Sequence, residues 1–345
     1  MTQTAHLSNG TNGVANGTNG VANGTNGANG SNGVAQAASG VADSIANGFS
    51  DFANSVANGV SNVANNNKPR ANSLTADGSI VISAADRTWW KEAVIYQIYP
   101  SSFCDTDGDG IGNINGVTSK LDYLKELGVD VVWLTPIYES PQKDMGYDIS
   151  NYRAIHKPYG TMEDVENLIA ELKKREMRLI MDLVVNHTSD QHPFFVESRS
   201  STDNPKRDWY IWRKPRYDAQ GTTQQYYLSL FTPFQPDLNW ENPAVRRGVH
   251  DILRFWIDKG VGGFRMDVIN LISKNQDFAD ADIVYPARPY QCGSKHFATG
   301  PRLTEYLQEM KREVLSKHDL LTVGEMPFIK DENQILEIVK AEEGS

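Results

Sequence analysis

Cysteine, positive charge and long apolar runs are all scarce in this sequence. Two cysteines, Cys104 and Cys292, occur in 345 residues. That is too few for a disulfide framework, and two free thiols in a reducing compartment are the expectation. No run of about 18 consecutive apolar residues exists, which argues against a membrane-spanning helix. The N-terminus lacks a basic stretch followed by an apolar one, so no secretory leader is expected and a cytoplasmic location follows as the default. Bases are outnumbered, with 33 Lys and Arg against 43 Asp and Glu and a net charge of −10. Residues 1–88 hold four acids and three bases, a net of −1, so residues 89–345 carry −9 of the total. An acidic body is a poor partner for nucleic acid, whose phosphates need clustered Lys and Arg. A small neutral substrate needs no such field.

What is present falls into two textures. Residues 8–33 repeat Asn-Gly with Thr, Val and Ala, a composition that loses much backbone entropy on ordering and has little to bury, so disorder is expected. In residues 41–65 the apolar positions Val41, Ile45, Phe49, Phe52, Val56, Val60 and Val63 follow an eleven-residue repeat, one apolar stripe if wound as a helix. Gly48 and Gly59 each cost such a helix about 1 kcal/mol relative to Ala. A weakly helical tail is the plain reading; a helix that lies on a membrane or lipid surface, or pairs with a partner, is the alternative, the membrane contact weakened by a polar face without Lys or Arg.

From Trp89 the pattern is that of a folded domain. Five apolar runs read as buried parallel strands: Val94–Tyr99, Val131–Thr135, Leu179–Val185, Gly263–Val268 and Leu321–Val323. Helical spacing lies between them, in 119–127, 162–172 and 245–259. Alternating strands and helices imply an α/β fold, a βα barrel or a doubly wound sheet. The stretch of about 188–242, rich in aromatics and turn residues, reads as a small domain inserted after the third strand.

Polar groups collect where the strands end. Asp182 and Asn186-His187 accompany the third, Arg265 and Asp267 the fourth, and Glu325 follows the fifth. A lone buried Asp is usually half of a structural ion pair; several such groups at corresponding strand ends are where a barrel places its chemistry. Arg265 and Asp267 are two apart on one strand and therefore face the same way. The guanidinium favours an ionised Asp267, as a nucleophile requires, and desolvation at the end of an apolar strand would raise the pKa of Glu325, as a proton donor requires.

The runs WWKEAVIYQIYP, GVDVVWLTPIYESP, DMGYDISNY, DLVVNHTSD, QPDLNW, GFRMDVINLIS and LTVGEMP together resemble the α-glucosidase and oligo-1,6-glucosidase branch of glycoside hydrolase family 13, over Trp89 to about Lys330. The resemblance implies a (β/α)8 TIM-type barrel, of which this chain holds about the first five strands, with domains at 1–88 (tail) and 89–345 (partial barrel with insert). It implies retaining hydrolysis of short α-glucosides, one glucose at a time. In it Asp267 matches the nucleophile and Glu325 the general acid/base. Arg265 matches the arginine beside the nucleophile, and Asp144, Tyr147 and His187 match groups that grip the non-reducing glucose. Val268, after the nucleophile, accompanies action on α-1,6 bonds in relatives, whereas the plain reading is simply a good strand residue.

Asp105, Asp107, Asp109, Ile111 and Asn113 place oxygen ligands at alternate positions, like the first half of a calcium loop, without the glutamate that would complete an EF-hand. The resemblance implies a structural Ca2+ there, with Asn113 standing where relatives commonly have Asp; a hydrogen-bonded Asx turn is the competing reading. No organic cofactor is expected.

Two departures from the pattern matter. The later strands and the His-Asp pair that supplies a third catalytic carboxylate are not found, so weak or absent activity is expected of the 345 residues alone. The segment Lys214–Gln225 is shorter than in typical relatives and lacks two aromatic-bearing patches that wall the pocket. A non-catalytic sugar-binding scaffold and a glucosyl-transferring enzyme of the sucrose isomerase kind are the alternatives.

Overall fold

The computed structural model describes residues 6–9, 89–214, 225–329 and 331–339. The chain divides into two units, residues 4–11 with 92–345 and residues 1–3 with 12–91. In the second only the 3-10 turn Trp89–Lys91 is described, and the repeat at 41–65 lies outside the described residues. Everything below concerns the first unit.

Its strands are β1 (His6–Asn9), β2 (Ile95–Ile98), β3 (Val131–Leu134), β4 (Tyr138–Glu139), β5 (Asn151–Ile155), β6 (Arg178–Val184), β7 (Trp212–Arg213), β8 (Tyr226–Ser229), β9 (Gly263–Asp267) and β10 (Leu321–Gly324). Five form one sheet in the order β10-β9-β6-β3-β2, every neighbouring pair parallel. These are the five strands read from the sequence, in chain order across the sheet. Leu179 to Val184 are all buried, because β6 is covered on both faces; this is why the run lacks the alternation of a one-sided strand. Gly263 pairs with Leu321 of β10 and has no room for a side chain: a Cβ there would lie 1.9 Å from the Leu321 carbonyl oxygen.

Helices return the chain between strands. Thr161 and Asp164 form a reciprocal capping box that starts Met162–Lys174, which buries Val165, Leu168 and Leu172. Asn242 caps Pro243–Asp258, with Pro at the first position and Val249, Leu253 and Trp256 in the core. The helix expected at 119–127 is observed as Leu121–Glu126; Lys120 separates it from a preceding helix, Ile114–Ser119, that was not expected.

Two features were not foreseen. A two-stranded antiparallel sheet, β4 with β5, projects after β3 and carries the DMGYD motif in its connection. In the inserted stretch, β7 and β8 form an antiparallel ribbon, and β8 also pairs with β1, so the first two residues of the repeat expected to be disordered, Ser8 and Asn9, lie in a strand. The shortened segment is outside the described residues at 215–224. Both cysteines are free. Among the described residues no helix is long and apolar enough to cross a membrane.

Candidate active site

Register brings the strand-end groups together. Asp182 on β6 sits opposite Arg265 on β9, and Val184 opposite Asp267. The Arg265 side chain, pointing the same way as Asp267 because the two are one alternation apart, donates from Nη1 to Asp267 Oδ1 at 2.6 Å and to Asp182 Oδ1 at 3.0 Å. Its Nη2 lies 2.8 Å from Glu325 Oε2. One guanidinium therefore joins three carboxylates from the ends of three adjacent strands. Trp133 on β3 stacks beneath it, ring centre 5.1 Å from the guanidinium carbon, and donates its indole N–H to Asp182 Oδ2 at 3.2 Å.

The cluster is short of positive charge, and burial compounds this. Asp267 is pushed well above the ordinary carboxylate range: loss of water is the largest cause, the Asp182 charge adds to it, and Arg265 opposes both. Asp182, wholly buried, is raised to about 6 by loss of water, again against Arg265. The sequence reading gave Arg265 the deciding influence on Asp267; the guanidinium is in place, but desolvation outweighs it. Desolvation of Glu325 is also not what the structure shows. Its side chain is 42% exposed, because β10 is the outer strand of the sheet and buries only Leu321.

Glu325 is held by backbone. Its N–H donates to the Met266 carbonyl at 2.9 Å and its carbonyl accepts from Ile269 N–H at 3.0 Å. Oε2 also accepts from the Val268 N–H at 3.0 Å. That last bond depends on an unusual conformation: Val268 is in the left-handed region at φ 37° and ψ 42°, rare for a β-branched residue. The chain turns sharply immediately after Asp267, and the turn aims a backbone donor at the neighbouring acid.

Asp144 and Tyr147 come from the β4–β5 connection. Asp148, fully buried, organises it by accepting from Ser140 Oγ, Lys143 N–H and Asp144 N–H, and Met145 and Gly146 both take positive φ. The turn delivers the half-buried Tyr147, whose hydroxyl donates to Asp182 Oδ2 at 3.2 Å. Burial holds that hydroxyl far above its ordinary pKa, so it stays a neutral donor. Asp144 Oδ2 accepts from Gln235 Nε2 at 2.8 Å, a residue of the QPDLNW run. His187 is almost fully enclosed, 1% exposed, with Nε2 3.2 Å from the Tyr147 carbonyl oxygen. Burial lowers its pKa and keeps it neutral.

The structure thus joins Asp267, Arg265, Glu325, Val268 and Tyr147 in one contiguous set through Asp182, with Asp144 and His187 adjoining through Tyr147 and Gln235. Sequence reasoning placed Asp182 at a strand end without a role, and missed Trp133 and Asp148. Trp133 and Asp148 did leave a signal: a tryptophan interrupting an aliphatic strand, and a second aspartate closing DMGYD.

In the acidic loop, carboxylate oxygens of Asp105, Asp107 and Asp109 lie within 4.8 Å of one another and all three residues are exposed. Asp105 also accepts from the N–H groups of Asp107, Gly108 and Gly110, and Ile111 donates its N–H to Asp109. Asn113 uses its side-chain oxygen as a helix cap, accepting from Gly116 N–H and Thr106 Oγ1. Three hard oxygen donors fit a calcium ion; Asn113 is engaged elsewhere.

Residues 97–342 match the family model of the α-amylase catalytic domain. An oligo-1,6-glucosidase of Parageobacillus thermoglucosidasius is 55% identical over 267 residues, 73% of this chain and 47% of the relative. An α-glucosidase of Schizosaccharomyces pombe is 51% identical over 275 residues, 74% and 47% respectively. Among solved structures, a trehalose-6-phosphate hydrolase of Bacillus licheniformis superposes with a TM-score of 0.65 at 51% identity, covering 70% of this chain and 45% of that one. A trehalulose synthase mutant gives 0.67 at 47% identity, covering 73% and 47%. The chain spans about half the length of the curated relatives it matches.

Proposed function

Because the chain belongs to the α-amylase family through its catalytic domain, we propose that a protein carrying it is a retaining exo-α-glucosidase acting on short α-glucosides, isomaltose-type α-1,6 bonds first and α-1,4 bonds as well. The observation that carries the reading is the shared guanidinium: Arg265 holds Asp267 and Glu325 together at the ends of adjacent strands. That supports the short separation, about 5–5.5 Å, at which one carboxylate attacks the anomeric carbon while the other serves the leaving oxygen. In the first step Asp267 bonds to the anomeric carbon as Glu325 protonates the departing glycosidic oxygen. In the second, Glu325 takes a proton from water, which displaces Asp267 from the same carbon and restores the original configuration. The negative surplus around Arg265 suits a transition state in which the sugar ring becomes positive. Buried Asp267 has a raised proton affinity when no sugar is bound, and the incoming positive charge offsets it.

Tyr147 and Asp144 would orient the glucose, with His187 behind them. Val268 and the QPDLNW run support α-1,6 use. The 345 residues alone, with a five-stranded sheet and two of three family carboxylates among the described residues, are proposed to be weakly active or inactive. The acidic loop is proposed as a structural calcium site held by Asp105, Asp107 and Asp109, without part in the chemistry. A second reading, glucosyl transfer, is favoured by the likeness to a trehalulose synthase; it uses the same pair and differs in the acceptor.

The test is a chimera joining residues 89–345 to the remaining half of the Parageobacillus relative, given isomaltose, maltose and sucrose. Proton NMR should show α-glucose as the first product, and Asp267→Asn should cut turnover by about a thousandfold or more. β-Glucose as first product, or an Asp267→Asn chimera as fast as its parent, overturns the reading. Isomerised sucrose in place of glucose would select the second.

A further inference from the structure

Lys274, one of the few fully enclosed charged groups, has no place in the chemistry above. Its side chain is 2% exposed and its ammonium lies 3.0 Å from Asp237 Oδ1, 2.9 Å from Asn186 Oδ1 and 2.7 Å from the Leu271 carbonyl. Asp237, also fully buried, accepts from Asn186 Nδ2 at 3.0 Å and, through Oδ2, from Leu230 N–H at 2.8 Å. An ammonium can only donate and a carboxylate can only accept. Between them they leave Asn186 one orientation, oxygen toward Lys274 and amide nitrogen toward Asp237.

The same amide nitrogen lies 3.1 Å from His187 Nδ1. As a donor it requires an unprotonated Nδ1, so the proton of the neutral ring sits on Nε2, facing the Tyr147 carbonyl at 3.2 Å. A second self-consistent arrangement exists. With the proton on Nδ1, Nε2 could accept from Gln235 Nε2, 3.3 Å away. Asn186 would then have to turn over, setting its NH2 against the ammonium and its oxygen against the Asp237 carboxylate. The ion pair excludes that state, and with it the loss of the donor beneath Tyr147.

We infer that Lys274 is a positioning residue: paired with Asp237, it fixes Asn186, which fixes the Nε2–H tautomer of His187, which holds the turn carrying Asp144 and Tyr147. The effect on turnover rests on the proposed reading of that turn as the glucose grip, whereas the tautomer itself does not.

The primary measurement is made on the 345-residue chain, labelled with 15N-histidine, with His187 assigned by its loss in His187→Gln. Long-range 1H–15N spectra distinguish the two tautomers by their nitrogen shifts. The wild-type ring is expected as Nε2–H; Nδ1–H in the wild type overturns the inference at once. Lys274→Met/Asp237→Asn, which removes both the ammonium and the carboxylate that fix Asn186, is expected to populate Nδ1–H. An unchanged tautomer in the folded variant overturns the inference. In the chimera, the variant should raise KM for isomaltose about tenfold with a smaller change in kcat, as expected for a loosened substrate contact. A shifted tautomer with unchanged KM would leave the relay standing and count against the grip assigned to Asp144 and Tyr147.

Discussion

Replacing Asp182 with Asn isolates how burial, rather than pairing, governs the carboxylate cluster. Asp182 is raised from an ordinary 3.8 to about 6, with loss of water as the first cause and Arg265 opposing it. That difference corresponds to about 3 kcal/mol. The sign is opposite to that of a salt-bridged aspartate. Between pH 4 and 6 the folded chain holds the proton more tightly than the unfolded one, so stability falls as pH rises through that window and the full loss is present above it. Asn cannot titrate and carries no such loss. Its cost is different: Asp182 accepts from Arg265 at one oxygen and from Trp133 and Tyr147 at the other. An amide has only one acceptor, so a donor meets its NH2, at about 1–3 kcal/mol whatever the pH. Asp182→Asn should therefore be less stable than the parent at pH 4 and recover by about 3 kcal/mol relative to it by pH 7. Relief of Asp267 from its neighbour's charge acts in the same direction. Urea titrations of both chains from pH 4 to 8, followed by tryptophan fluorescence, measure this directly. Two stability curves running parallel in pH would refute the argument that desolvation prevails over Arg265 at this site.

Two further outcomes are expected. Val268→Thr in the chimera should lower the ratio of kcat/KM for isomaltose over maltose by roughly tenfold, the order of discrimination one altered group in a pocket supplies; Thr is branched at Cβ like Val and so loads the turn similarly, and an unmoved ratio would leave Val268 as a structural residue only. Millimolar calcium should raise the thermal midpoint of the 345-residue chain, by an amount equivalent to about 2.7 kcal/mol when the free ion exceeds its dissociation constant a hundredfold, and Asp107→Ala should abolish the rise. Identical melting in calcium and in chelator would reduce the loop to an Asx turn.

The inner strands of the sheet, β3, β6 and β9, were legible because they are largely buried and read as mainly apolar runs; the outer strands β2 and β10 are more exposed and were read from their apolar residues. The pairing of Arg265 with Asp267 follows from strand alternation. β4 escaped notice because two residues, Tyr138–Glu139, leave no periodic trace. The helix Ile114–Ser119 escaped because its six residues carry only Ile114 and Val117 as buried apolar positions, whereas Leu121 and Leu124 of the following helix keep helical spacing. In the site, identities were readable and balances were not. Whether Arg265 or burial decides the state of Asp267 depends on how much water remains, a property of packing from several strands. Lys274 illustrates the other limit. Its importance lies in what surrounds it, and Asp237 and Asn186 are 37 and 88 residues away in the chain.

The left-handed turn at Val268 ties two properties that might otherwise vary independently. Its backbone sets where Glu325 rests, and its side chain is the one read as choosing between linkages. Holding a β-branched residue there costs on the order of 1–3 kcal/mol, and each replacement changes that cost as well as the pocket wall. Glycine would adopt the turn freely yet remove the wall; a bulkier branched chain would rebuild the wall and press harder on the turn. On the proposed reading, a replacement at this position that alters the turn would move Glu325 as well as the pocket wall, so selectivity and rate should change together.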